Sequence, residues 1–94
     1  MKNRIIEALK EVSGYVKSKY PVKSMAVFGS SVREDYKENS DVDIVVDFQS
    51  DDFLLFNSLA EELEVILGKK IDLITLRSLK PRHLQYIQNQ MIYV

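Results

Sequence analysis

Three aspartates are the residues of this chain best suited to chemistry. Asp41 and Asp43 stand two positions apart in a β-branched segment, and Asp72 lies at the start of a later apolar segment. Residues two apart on a strand point to one face, and two such close carboxylates repel each other unless a cation lies between them. A third carboxylate would complete an oxygen site suited to Mg²⁺. The pattern therefore predicts one or two Mg²⁺ ions, and a pair of ions can assist displacement at phosphorus.

A glycine–serine pair earlier in the chain could bind phosphate. Gly29 and Ser30 follow an apolar segment at 24–28, and Arg33 comes shortly after them. Glycine lets the backbone approach a ligand closely, and the free N–H groups of a turn bind anions. Each feature alone has a plainer explanation, namely a simple turn, a solvated strand end or an exposed arginine. Their joint occurrence in this order favours a site for a nucleoside triphosphate and its metal.

The first half of the chain predicts a helix and two strands. Apolar residues at three- to four-residue spacing predict a helix that Pro21 ends. These positions are Ile5, Leu9, Val12, Val16 and Tyr20. Strands are predicted at 24–28 and 42–48, the second with one apolar face and one face carrying aspartates. The polar segment 31–40 between them is predicted to be a loop with one helical turn.

The second half predicts two helices around a third strand. Ser50 or Asp51 is predicted to cap a helix that Gly68 ends. A strand follows at 70–76, and Pro81 predicts the start of a short last helix.

This order of elements predicts an α/β (α+β) fold, with a small mixed sheet flanked by helices. Two strands joined through a helix should run parallel, with a right-handed crossover. The first strand is close enough in the chain to pair antiparallel with the second, and residues 92–94 could add an edge strand. We therefore expect Gly29 and Ser30 to meet all three aspartates at one edge of the sheet.

Composition limits what else the chain can be. Its 94 residues are 46% hydrophobic and 29% charged, which predicts a single globular domain over residues 1–94. A net charge of −1 excludes a broad basic surface for duplex nucleic acid. With no Cys and one His, any metal must be bound by oxygen. No apolar segment is long enough for a membrane span or resembles a signal peptide, so we expect a cytoplasmic protein.

Three motifs together resemble a known family. They are FGSSVRED at 28–35, SDVDIVV at 40–46 and IDLI at 71–74. They resemble the minimal nucleotidyltransferases of the DNA polymerase beta-like superfamily, from about Met25 to Pro81. The resemblance implies the nucleotidyltransferase fold. Small stand-alone members of this family resemble the antitoxin of a two-gene toxin–antitoxin pair. The resemblance therefore implies an antitoxin that transfers AMP from ATP to a tyrosine of a partner HEPN toxin.

The resemblance also implies roles for single residues. Asp41 and Asp43 would be the paired Mg²⁺ ligands. Asp72 would be the third carboxylate, which orients or deprotonates the attacking hydroxyl.

The same resemblance implies a nucleotide site around the glycine–serine pair. Gly29 and Ser30 would hold the β- and γ-phosphates of ATP, and Arg33 would support them. Ser40 would brace the start of the second strand. Val32 and Glu34 stand before Asp35 where many relatives have a small residue and a glycine, and the charge of Glu34 predicts weaker nucleotide binding.

Two other functions remain open at the level of sequence. The chain could be an antitoxin that neutralises its partner by binding alone. It could also be a transferase that acts on RNA ends or on a small molecule, although its near-neutral charge argues mildly against RNA. It could form an oligomer.

Overall fold

The fold is a four-stranded mixed sheet with three helices in the part of the chain that the computed structural model describes, residues 4–29 and 41–94. The elements are α1 (Arg4–Lys19), β1 (Val22–Phe28), β2 (Val42–Phe48), α2 (Phe53–Leu67), β3 (Ile71–Thr75), a 3₁₀ turn (Leu76–Ser78), α3 (Pro81–Gln88) and β4 (Ile92–Tyr93). The strand order is β3-β2-β1-β4. β2 and β3 are parallel, and β1 is antiparallel to both β2 and β4. The predicted fold class and pairing directions are confirmed.

The core lies on one face of the sheet. Alternate residues of β2 point to this face, from Val42 at 0% exposure to Phe48 at 2%. α1 and α2 cover it with Leu9, Leu59 and other apolar residues of their predicted faces. Burial of this amphipathic surface is the main force that stabilises such a small domain. The aspartates of β2 consequently lie on the face away from these helices.

The bounds of β1 and β3 differ from the sequence-based prediction. β1 begins at Val22 rather than at residue 24, because Val22 still pairs with Phe48 across an irregularity in the ladder. β3 covers only Ile71–Thr75, because the chain turns into the 3₁₀ segment at Leu76.

The predicted cap of α2 was wrong by one or two residues. Asp52 is the N-cap, and its side chain accepts the Leu55 N–H at 3.1 Å. Ser50 instead accepts the Asp52 N–H through its hydroxyl at 3.0 Å. The two hydrogen bonds order the turn that leads from β2 into the helix.

The end of α2 determines where β3 begins. Gly68 has the left-handed conformation, with φ of 64°, and its N–H donates to the Glu64 carbonyl at 2.8 Å. The Glu64 side chain then accepts the Ile71 N–H at 3.3 Å. The predicted helix stop at Gly68 is confirmed, and β3, which carries Asp72, begins shortly after it at Ile71.

Over the ranges 4–29 and 41–94, no helix is long and apolar enough to cross a membrane.

Candidate active site

The register of the sheet brings the predicted aspartates to one edge. Asp43 on β2 is the direct neighbour of Asp72 on β3 in the parallel pairing. The Val42 N–H donates to the Lys70 carbonyl at 2.9 Å, which holds the starts of the two strands level. Asp41 immediately precedes β2 at the same edge. The predicted convergence of two distant sequence segments is thus observed.

Both paired carboxylates lie on the face opposite the core. Ile71 and Leu73 pack with the core cluster, so Asp72 between them points the other way. The same alternation places Asp43 between the buried Val42 and Ile44. Asp72 is exposed and Asp43 is half-buried, which leaves the pair accessible to a ligand.

Asp43 is the electrostatically perturbed member of the group. Its pKa is raised above the ordinary value, first by partial burial, then by the charge of Asp72, then by that of Asp41. Burial and like charges both disfavour a carboxylate anion, whereas a bound cation would favour it. The three side chains therefore interact through their charges, and the group has the oxygen chemistry that suits Mg²⁺.

The carboxylates do not form a closed cage. Among residues 4–29 and 41–94, no group of three or more His, Cys, Asp or Glu side chains is arranged to hold a metal ion. Asp41 and Asp72 are exposed, and Mg²⁺ in proteins usually keeps several waters and is bound through one or two carboxylates together with substrate phosphates. The three-aspartate ligand set remains a prediction.

Gly29 makes an unexpected contact at this edge. In the antiparallel ladder Phe28 is paired with Asp43, so Gly29 follows directly beside that aspartate. Gly29 has a φ of 75°, and a Cβ placed on it would collide with the Asp43 carboxylate oxygen Oδ2. The same Cβ would lie 3.2 Å from Asp43 Cγ. Sequence reasoning assigned Gly29 to phosphate binding and missed this contact, because it depends on the register of β1 against β2.

The remaining predicted nucleotide-binding residues are Ser30, Arg33 and Ser40. All three lie outside the described residues, as does the predicted helical turn within 31–40.

A separate pocket of about 400 Å³ lies at the other end of the strands. Its lining includes Phe48, Phe56, Ile74 and Arg77, but none of the three aspartates. Arg77 donates to the Phe48 carbonyl at 2.7 Å and to Asp51 at 3.0 Å, which ties the 3₁₀ turn to the end of β2. The pocket is open and mainly apolar. It is separate from the carboxylate site, which lies at the starts of β2 and β3.

Comparison with known proteins decides the family. The nucleotidyltransferase domain model matches residues 9–94. The chain belongs to that family. Two of its relatives carry the name protein adenylyltransferase. MJ1379 of Methanocaldococcus jannaschii is 42% identical over 96 residues, covering 98% of this chain and 96% of the relative. MntA of Thermococcus cleftensis is 41% identical over 80 residues, covering 84% of this nucleotidyltransferase and 81% of MntA.

Solved structures agree on the fold. A minimal nucleotidyltransferase is 29% identical with a TM-score of 0.80, covering 98% of this chain and 95% of that one. A toxin–antitoxin structure with AMP-PNP is 27% identical with a TM-score of 0.67, covering 97% and 69%. A tri-AMPylated HEPN toxin of Shewanella oneidensis in complex with its MNT antitoxin has a TM-score of 0.69 at 22% identity, covering 95% and 70%. At that identity the last likeness shows the nucleotidyltransferase fold alone.

Proposed function

We propose that this nucleotidyltransferase transfers AMP from ATP to a hydroxyl group of a partner HEPN toxin, and thereby acts as its antitoxin. The observation that carries the proposal is the pairing of Asp43 with Asp72 on the accessible face of the sheet. The relatives named as protein adenylyltransferases support AMP as the transferred group. The toxin–antitoxin structure with AMP-PNP supports ATP as the donor and a toxin as the partner.

In this proposal the acceptor oxygen forms a bond to the α-phosphorus of ATP. The bond between that phosphorus and the oxygen bridging to the β-phosphorus breaks, and pyrophosphate leaves. The hydroxyl proton passes to a carboxylate or to water. The acceptor thus gains one AMP moiety by a redox-neutral exchange.

The three aspartates would have different roles in this reaction. Asp41 and Asp43 would hold Mg²⁺, with Asp72 as a further ligand. Bound Mg²⁺ would offset the negative charge of the phosphates. Asp72 comes from the neighbouring strand, so we assign it to the acceptor side, where it orients the hydroxyl and takes its proton.

The nucleotide would be held on the β1 side of the site. Gly29, Ser30 and Arg33 would contact the phosphates, and Ser40 would brace the approach to β2. We further propose that residues 1–94 act as one catalytic domain, and that the reaction takes place in the cytoplasm.

Mass spectrometry of the partner tests the proposal. The protein is incubated with a candidate partner HEPN toxin, Mg²⁺ and ATP, and the toxin is expected to gain the mass of AMP. Asp72→Asn should lower the single-turnover rate by about 10²-fold or more, with nearly unchanged ATP affinity, because proton transfer matters mainly in the transition state. Equal losses of ATP affinity and rate would instead make Asp72 a metal ligand with no separate part in proton transfer.

Asp47→Asn is the matched control. Asp47 lies on the same strand and face as Asp43 but at the other end, where it accepts a hydrogen bond from Gln49 at 2.7 Å. It should retain full transfer. If no AMP is transferred while the protein still neutralises the toxin, the protein is an antitoxin that acts by binding alone.

A further inference from the structure

We infer that Gly29 is a positioning residue for Asp43: its missing Cβ leaves the space that the Asp43 carboxylate occupies. The inference deepens the proposed function, because it gives Gly29 a task in forming the metal site besides any contact with phosphate.

A Cβ on Gly29 would overlap the Asp43 carboxylate as a whole and not only one of its oxygens. A Cβ on Gly29 would overlap Asp43 Oδ2, and it would also lie 3.2 Å from Cγ and 3.5 Å from Cβ of that residue. Contacts below about 3.4 Å between carbons are repulsive, so movement of the oxygen alone would not remove the overlap. The whole carboxylate would have to swing away from its present position.

Only the side chain of Asp43 can move. Its backbone is held in the ladder opposite Phe28 on one side and Asp72 on the other. The flanking residues Val42 and Ile44 are fully buried, which fixes the strand against the core. A displaced carboxylate must therefore adopt another rotamer, and its distances to Asp41 and Asp72 must change.

A second glycine separates this effect from backbone strain. Gly68 also has a positive φ, 64° against 75° at Gly29, yet a Cβ on Gly68 would meet nothing within 4 Å. Alanine at either position suffers the strain of a left-handed backbone. Only at Gly29 does alanine also meet the carboxylate, so the difference between the two variants isolates the contact.

Binding of Mn²⁺, a spectroscopic substitute for Mg²⁺, is the first readout. We expect Gly29→Ala to weaken Mn²⁺ binding, measured by electron paramagnetic resonance without nucleotide, by about 10-fold or more, as for residues that orient metal ligands. Gly68→Ala should bind Mn²⁺ like the wild type. Equal affinities for Gly29→Ala and Gly68→Ala would overturn the inference.

Thermal unfolding without metal is the second readout, and it is independent of the proposed function. Gly29→Ala should lower the melting temperature more than Gly68→Ala does. In an Asp43→Ala background the carboxylate that collides is gone, so Gly29→Ala should lower the melting temperature by less than it does in the presence of Asp43. If Gly29→Ala alone does not fold, the double variant should fold. An excess loss that persists without Asp43 would refute the contact, whereas a wild type that binds no Mn²⁺ refutes only the metal site.

Discussion

Asp43→Asn should stabilise the metal-free protein at pH 7, although it removes a proposed metal ligand. The Asp43 carboxylate is partly buried and faces the charges of Asp72 and Asp41, and both effects raise its pKa. Asparagine is nearly isosteric and neutral, so it relieves the repulsion without opening a cavity.

The sign and size follow from proton linkage. A carboxyl with a raised pKa in the folded state stabilises the fold fully below its ordinary pKa of 3.8, and this contribution is lost as pH rises through the raised value. Because Asp43 is only half-buried, solvent screening limits the expected gain to below about 1 kcal/mol. For a domain of this size that is a rise in melting temperature of at most about 4–8 °C.

Melting curves at pH 3 and pH 7, with and without Mg²⁺, test this reasoning. Asp43→Asn should melt above the wild type at pH 7 without metal, and the difference should shrink at pH 3. Saturating Mg²⁺ should reverse the order, since a ligand at 100 times its Kd stabilises by about 2.7 kcal/mol. Asp47→Asn serves as the control for loss of a charge from the same strand. A metal-free Asp43→Asn that melts below the wild type at pH 7 would refute the electrostatic account.

Three further predictions concern the scaffold. Asp52→Ala should cost about 1 kcal/mol in urea unfolding, because it removes the cap of α2, whereas Asp51→Ala should cost less. Glu62 accepts a hydrogen bond from Tyr20 at 2.6 Å, and hydrogen bonds from Tyr15, Tyr20 and Lys19 lower its pKa to about 2. Glu62→Gln should therefore destabilise the protein above pH 4.5, and melting curves should converge as pH falls towards 2. Leu59→Ala, fully buried, should cost about 2–5 kcal/mol in the same urea assay.

Features that depend on near neighbours in the chain were predictable from sequence. The periodicity of α1, the stop at Pro21 and the left-handed end of α2 at Gly68 are all local, since they follow from helix geometry and backbone sterics. The alternation around Asp43 predicted its face correctly, because side chains on a strand change face at every residue. A β-strand, a helix and a β-strand in succession further predicted the parallel pairing.

Features that depend on register were decided only by the tertiary structure. Asp52 caps α2 instead of Ser50 or Asp51, and the Asp51 side chain instead accepts a hydrogen bond from Arg77, a partner that only the fold brings close. The contact of Gly29 with Asp43 requires the pairing of Phe28 with Asp43, and a slip of one residue would abolish it. Local sequence determines which face a side chain takes. Its distance from a residue on another strand depends on the register, which is set by packing of the sheet against α1 and α2, because a slip of one residue would turn the apolar face of β2 away from these helices.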